Sequence, residues 1–197
     1  MAARRLPCIV RGLIIAIPRT TLAGGSIVLR PNRSEFVPHL RAAAAESIAT
    51  IGRWMTWCHP ELTENEAIEW YRNCEVSWDT GVGYEFSVFT SSGDFLGAAG
   101  LNQLNHTNRF ANLGYWTRES RQGRGYAADA ARVLADFGLD TLKLNRVEIV
   151  AAEGNLPSRR VAEKVGAQFE GVLRDRLVIH GLAYNAAMYS LTRNAGP

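Results

Sequence analysis

The segment Arg121-Gln122-Gly123-Arg124-Gly125-Tyr126-Ala127 sets two glycines and two guanidinium groups just ahead of a helical pattern. A helix N-terminus carries unpaired N–H groups and a positive dipole end. Glycines let that backbone close on an anion, and a small residue such as Ala127 leaves the first turn open. The chemistry this suits is the holding of a diphosphate. A Walker loop would end in Gly-Lys-Ser/Thr, where this chain has Gly125-Tyr126. A dinucleotide fingerprint would follow the first strand of a βαβ unit, whereas Gly123-x-Gly125 follows a strand-rich region, with Ala128 in the final position. The same residues also make an ordinary Gly-rich turn before a surface helix.

Other reactive side chains are dispersed. Cys8, Cys58 and Cys74 form no C-x-x-C pair and no Cys/His cluster of zinc spacing, so free thiols in a cytosolic protein and no metal are expected. His39 on a helix, His106 in a polar loop and His180 at a hairpin tip read as surface residues. His59 follows Trp54 and Trp57, an aromatic-rich segment able to hold an amine by cation–π contact or simply to fill a core.

The elements that must position these residues are legible in the patterning. Residues 26–30 read as a strand stopped by Pro31. Ser34 is expected to cap a helix with Glu35 in its first turn and Phe36, Leu40, Ala44, Ile48 and Ile51 at helical spacing. Thr63-Glu64-Asn65-Glu66 is a capping box that opens a second helix with Ala67, Ile68, Tyr71 and Cys74 on one side. Strands follow at 84–90, 95–104 and 112–117, the first two joined by the turn Ser91-Ser92-Gly93-Asp94. After the Gly/Arg loop come a helix over 126–141, an apolar strand at 146–151, and a helix opened by Pro157-Ser158 and ended by Gly166. Strands at 169–178 and 184–191 flank a turn at His180-Gly181. The order predicts one α/β (α+β) domain with helices on the faces of a sheet.

The 197 residues suit one such domain with a short N-terminal extension, and the net charge of +3 is no nucleic-acid footprint. It still favours a polyanionic ligand. Arg4 and Arg5 precede an apolar stretch over 6–17, but Pro7, Arg11 and Gly12 interrupt it and no run is long enough to span a bilayer. An extra strand or arm over residues 1–25 is expected ahead of a catalytic domain over 26–197.

Gln122-x-x-Gly125-x-Ala127 resembles the cofactor loop of the GNAT superfamily of acetyl-CoA-dependent N-acetyltransferases. A second stretch, from Asn155-Leu156-Pro157-Ser158 to Glu163-Lys164-Val165-Gly166, is similar to the N-x-x-S-x-x-x-x-E-K-x-G pattern of the RimJ/RimL-type branch. Leu113-Gly114-Tyr115-Trp116 before the loop, and Glu170-Gly171 and Tyr189-Ser190-Leu191 after it, fit the same branch. The likeness runs from about Ile27 to Leu191. It implies a mixed, mostly antiparallel sheet with one splayed strand pair.

The resemblance also implies roles. Backbone amides of Gln122, Gly123, Arg124, Gly125, Tyr126 and Ala127 would bind the pyrophosphate of acetyl-CoA. Leu113, Gly114 and Tyr115 would pair with its pantetheine arm, Asn155 would hold an amide of that arm, and Arg159 and Arg160 either meet phosphate or sit on a solvated helix face. Ser158 matches the proposed acid for the departing thiolate, or caps its helix. The base is open: some relatives carry a glutamate where Leu177 stands, which leaves Glu85, Asp175 or a water chain. Backbone N–H groups near Tyr115 and Trp116 would serve the oxyanion. Asn185 stands where relatives often show an aspartate. Trp54, Trp57, His59 and Asn102 are the expected acceptor contacts.

The acceptor implied by the branch is a protein or peptide N-terminal amine. Small-molecule amines such as polyamines, amino acids or antibiotics are the alternative, and a non-catalytic acyl-CoA-binding regulatory module is a third reading. No nucleic-acid or membrane partner is expected, and a homodimer is compatible with the reading.

Overall fold

The computed structural model describes residues 17–193. Residues 1–16, with Cys8 and most of the apolar stretch at 6–17, lie outside the described residues. One sheet of eight strands has the order β1-β2-β3-β4-β5-β6-β8-β7. The strands are β1 (Leu22–Gly24), β2 (Ile27–Pro31), β3 (Tyr84–Thr90), β4 (Phe95–Asn105), β5 (Phe110–Thr117), β6 (Arg146–Ala152), β7 (Gln168–Ile179) and β8 (Leu182–Thr192). All neighbouring pairs are antiparallel except β5 and β6. The helices are α1 (Val37–Glu46), α2 (Glu64–Asp79), α3 (Tyr126–Asp136) and α4 (Leu156–Lys164). The mixed, mostly antiparallel α/β sheet expected from the sequence is therefore the observed fold.

Helices cover both faces because each offers one apolar stripe. On α2, Ala67, Tyr71, Cys74 and Trp78 recur at helical spacing and are buried. With Phe36, Leu40 and Ala43, Ala67 and Tyr71 pack against Phe89, Phe95 and Trp116 of the sheet, whereas Trp78 joins the other core beside Phe86 and Phe137. The opposite face holds Leu134 and Phe137 against Leu101, Leu113 and Val147. The α3 contacts are mostly alanines (Ala128, Ala130, Ala131 and Ala135), which let the helix lie close to the strands.

Three local expectations are corrected. Ser34 makes no cap: residues Ser34–Phe36 form a 3₁₀ turn, and α1 starts at Val37 with Pro38 in its first turn. That helix also stops at Glu46, so Ile48 and Ile51 fall in the turns that follow. The reason is Ser47, whose hydroxyl folds back onto the Ala43 carbonyl at 2.6 Å while its amide bonds Ala44. The helix after the Gly/Arg loop changes to π-type over Phe137–Thr141. This widened turn buries Phe137, Gly138 and Leu139, with Gly138 against Leu101 and Val147.

The Thr63 capping box forms as expected, with the Glu66 amide donating to Thr63 Oγ1 at 3.2 Å and the Thr63 amide donating to Glu66 Oε2 at 2.7 Å. Among the described residues, no helix is long and apolar enough to cross a membrane.

Candidate active site

The site begins where two parallel strands part. β5 and β6 are in register only at Phe110↔Arg146, Ala111↔Val147 and Asn112↔Glu148. β5 then continues along β4 to Thr117, and β6 continues along β8 to Ala152. Each keeps one partner, so the facing edges from Leu113 and Ile149 onward diverge. A freed strand edge presents N–H and C=O groups to any extended amide-bearing chain laid beside it.

At the open end of this fork lies the Gly/Arg loop. Gly125 is the N-cap residue of α3 with φ 89°, a left-handed conformation that favours glycine, and no side chain caps the helix. Within the described residues, the amides of Gly123, Arg124 and Gly125 donate to no backbone acceptor. Tyr126 and Ala127 supply first-turn amides that have no intrahelical partner. Gln122 differs. Its amide already donates to the Glu119 carbonyl at 3.1 Å, and its side chain donates to the Thr117 carbonyl at 2.9 Å and Thr50 Oγ1 at 3.3 Å. It fastens the loop rather than presenting a free donor. Lys164 adds a cation that the sequence reading left without a role: a Cβ built on Gly125 would lie 3.3 Å from its Nζ. The arrangement fits a polyanionic nucleotide with a long amide arm.

The sheet face beneath α1 and α2 carries a cleft of about 320 Å³ that reaches Gly114 and Tyr115 of the fork. Trp57, His59, Trp70 and Trp116 form much of its wall, and Glu85 and Asn102 form its polar part. Glu85 on β3 stands opposite Gly100 on β4, where a Cβ would collide with its carboxylate. Gly100 thus makes the space that this side chain occupies. Burial pushes the Glu85 carboxyl above the usual carboxylate range, while the hydrogen bond from Asn102 Nδ2 at 3.2 Å to Oε1 pulls it down. Glu66 is the other acidic residue of the wall, and its carboxylate is engaged in the capping box.

Ser158 lies across the fork, in the first turn of α4. Asn155, not Ser158, caps that helix: Asn155 Oδ1 accepts from the Ser158 amide at 3.3 Å. The Tyr115 hydroxyl donates to the Ser158 carbonyl at 2.9 Å and lies 3.2 Å from Ser158 Oγ. Burial pushes the Tyr115 phenol up to about 12, with the Ser158 contact acting in the opposite direction. The Tyr115 side chain therefore locks the start of α4 against the sheet, a tie that the sequence did not reveal.

The remaining expected residues fall elsewhere. Trp54 is not in the wall of the cleft; it stacks on Arg53, with 4.8 Å from guanidinium to ring, and lies beside Gly154. Asp175 is exposed at an irregular point of β7 with φ 50°, and its amide donates to Asn185 Oδ1 at 3.2 Å. Arg159 is held by the Tyr189 hydroxyl at 3.2 Å and the Glu153 carbonyl at 3.1 Å, whereas Arg160 is exposed. His180 is exposed, yet its Nε2 meets the Gly52 carbonyl at 2.7 Å. Among the described residues, no group of three His, Cys, Asp or Glu side chains is arranged to hold a metal.

Comparison with known proteins agrees with this geometry. Residues 26–168 match the family described as the acetyltransferase (GNAT) domain. The Bacillus subtilis (strain 168) protein YdaF, by its name a candidate ribosomal N-acetyltransferase, is 39% identical over 101 residues, 51% of this chain and 55% of its own. Escherichia coli (strain K12) spermidine N(1)-acetyltransferase is 28% identical over 99 residues, 50% of this chain and 53% of its own. The chain thus spans about half the length of these two relatives. Mycobacterium smegmatis RimJ in complex with CoA-disulfide superposes with a TM-score of 0.83 at 23% identity over 89% of this chain and 88% of its own, a likeness of fold. The parted strands, the glycine-capped helix and the matched span of residues together establish that this chain belongs to the GNAT acetyltransferase domain family.

Proposed function

We propose that this protein transfers an acetyl group from acetyl-CoA to a primary amine by direct attack while both are bound. The observation that carries the reading is the placement of Glu85 in a cleft that opens onto Gly114 and Tyr115, where β5 and β6 part. A neutral amine is the nucleophile, so a group with raised proton affinity beside the acceptor has work to do. Glu85 accepts that proton. The first-turn amides of α3, with Gly123, Arg124 and Lys164, hold the pyrophosphate, and Gly114 and Tyr115 present backbone to the pantetheine arm. Acetyl-CoA supplies an activated thioester when bound; Ser158 Oγ, steadied by Tyr115, is placed to give the departing sulfur a proton. Domain and arm divide at residues 26–197 and 1–25 in this reading, and a cytosolic homodimer is consistent with it.

The acceptor is an N-terminal amine of a protein or peptide. Within the described residues, Glu85 and Glu66 are the only acidic side chains lining the cleft, and the wall is otherwise aromatic and aliphatic. One carboxylate outside the capping box among apolar walls suits a single amine on a small apolar body, in keeping with the ribosomal N-acetyltransferase name of YdaF. A polyamine, the substrate in the name of the Escherichia coli relative, is the second reading and would need further carboxylates. Thiol release measured with short peptides and with spermidine separates the two. Turnover of peptides well above that of spermidine is expected, and the reverse preference overturns the acceptor assignment.

A further inference from the structure

Glu85 is the end of a short line of polar side chains. Asn102 Nδ2 donates to Glu85 Oε1 at 3.2 Å, and Asn112 Nδ2 donates to Asn102 Oδ1 at 2.9 Å. Asn102 and Asn112 are directly opposed across β4 and β5, and Asn112 is also the last β5 residue in register with β6. The line thus runs from the point where β5 and β6 begin to part to the carboxylate. It ends on an anomaly: Asn112 Oδ1 is buried and has no hydrogen-bond partner among the described residues. An unpaired buried carbonyl is costly and calls for a reason.

The reason follows from what each amide can donate and accept. With Glu85 ionised, the carboxylate only accepts, so Asn102 must turn its NH₂ toward it. Asn102 Oδ1 then needs the Asn112 NH₂, and Asn112 Oδ1 is left over. With Glu85 protonated, its O–H can donate to Asn102 Oδ1. Both amides then turn over, and Asn102 Nδ2 donates to the Asn112 oxygen that was unpaired, while the Asn112 NH₂ takes the unpaired position in its turn. The pair has one orientation matched to each protonation state.

We propose that Asn112 and Asn102 form a positioning relay for Glu85, which holds the carboxylate toward the acceptor and reverses when Glu85 takes the proton. The proposal rests on the reading of Glu85 as the proton acceptor. One N–H bond of the acceptor ammonium breaks, one O–H bond forms on Glu85, and the proton later passes to solvent; no electrons change hands. Neither asparagine touches the reacting atoms. The titratable groups facing Glu85 are Cys74 and Glu66 from α2, His59 from the segment between α1 and α2, and Tyr115 from β5, none hydrogen-bonded to it.

The test is the pH dependence of kcat/KM for Asn112→Leu, Asn102→Leu, Glu85→Gln and the double variant Glu85→Gln/Asn112→Leu, with coenzyme A binding followed in parallel. Loss of the donor to Glu85 in Asn102→Leu moves the acidic limb up by roughly one pH unit. Asn112→Leu moves it in the same direction by less, with coenzyme A affinity within about twofold of the parent. In the Glu85→Gln background the Asn112 change costs nothing further. An unmoved limb in Asn112→Leu, with the limb abolished by Glu85→Gln, overturns the relay and leaves the base assignment standing. So does an equal loss from Asn112→Leu with and without Glu85. A limb that survives Glu85→Gln overturns the base assignment and the relay with it. Asn112→Ser, which makes no bulky intrusion at the fork, is read by the same criteria if the leucine variant does not fold.

Discussion

At the scale of single residues, Glu85 is held under two opposed influences, burial raising its proton affinity and the Asn102 amide lowering it. A carboxyl whose folded pKa lies above its unfolded value contributes stability that is present below the unfolded value and lost as pH rises through the folded one. Glu85→Gln is therefore expected to raise the melting temperature at neutral pH, while kcat/KM falls by about 10²–10⁴-fold, the range for loss of a general base. Thermal melts at pH 5 and pH 8 beside rate profiles check both, and equal melting shifts at the two pH values would contradict the assignment. Ser158→Ala is expected to lower kcat by about tenfold or more with little change in coenzyme A affinity; full turnover at every pH would remove Ser158 as an acid. Glu85 was readable as a candidate from residue type and strand position, and Ser158 from the family resemblance of its motif. Asn112 and Gly100 were not, because their importance arises from cross-strand register, which brings together residues far apart in the chain.

At the scale of elements, the C-terminal end of α1 grips the approach to the Gly/Arg loop. Glu46 takes a forked pair of hydrogen bonds from Arg118, each 2.7 Å, and one from Ser120 Oγ at 2.8 Å. Ser47 Oγ accepts from the Glu119 amide at 3.0 Å, and Thr50 Oγ1 donates to Glu119 at 3.0 Å. These contacts fix where α3 begins. The Arg118 guanidinium holds the Glu46 carboxyl down to about 2. Its stabilisation is present above the ordinary carboxylate range and is lost as pH falls from about 4.3 toward that value. Glu46→Gln should cost about 1 kcal/mol at neutral pH, flatten the acid-unfolding curve in that window and weaken coenzyme A binding several-fold. Denaturant titrations at pH 7 and pH 3 supply the check, and a variant as acid-sensitive as the parent would refute it. The helix N-terminus of α2 was legible because a capping box is local, whereas the grip of α1 joins residues about seventy positions apart. The same distinction explains why the end of α1 was misplaced: its apolar spacing continued, but Ser47 turned the backbone out of the helix.

At the scale of the whole molecule, the proposed activity calls for one sheet pulled two ways. β5 stays with β4, β6 stays with β8, and the cores on the two faces keep those allegiances. Leu134, fully buried against the sheet from α3, is a support for that arrangement. Leu134→Ala is expected to lose roughly 2–5 kcal/mol of stability, as for other buried leucine truncations, and urea unfolding measures it. The order of strands and helices was legible from periodicity and turn residues. The place where β5 and β6 separate was legible through the family resemblance, which put Leu113, Gly114 and Tyr115 on an open edge, and not through patterning, because both sequences remain good strands past Asn112 and Glu148 and the divergence lies in their pairing.

The central claim is that the parted strands and the glycine-capped helix bind acetyl-CoA so that an amine in the Glu85 cleft can take its acetyl group. Calorimetric titration of the full chain with acetyl-CoA, followed by thiol release on addition of an N-terminal peptide, tests it most directly. The account predicts one saturable site that is lost in Gly125→Arg, with thiol release that requires the amine. Unchanged binding by Gly125→Arg, or absence of binding by the parent protein, would contradict it.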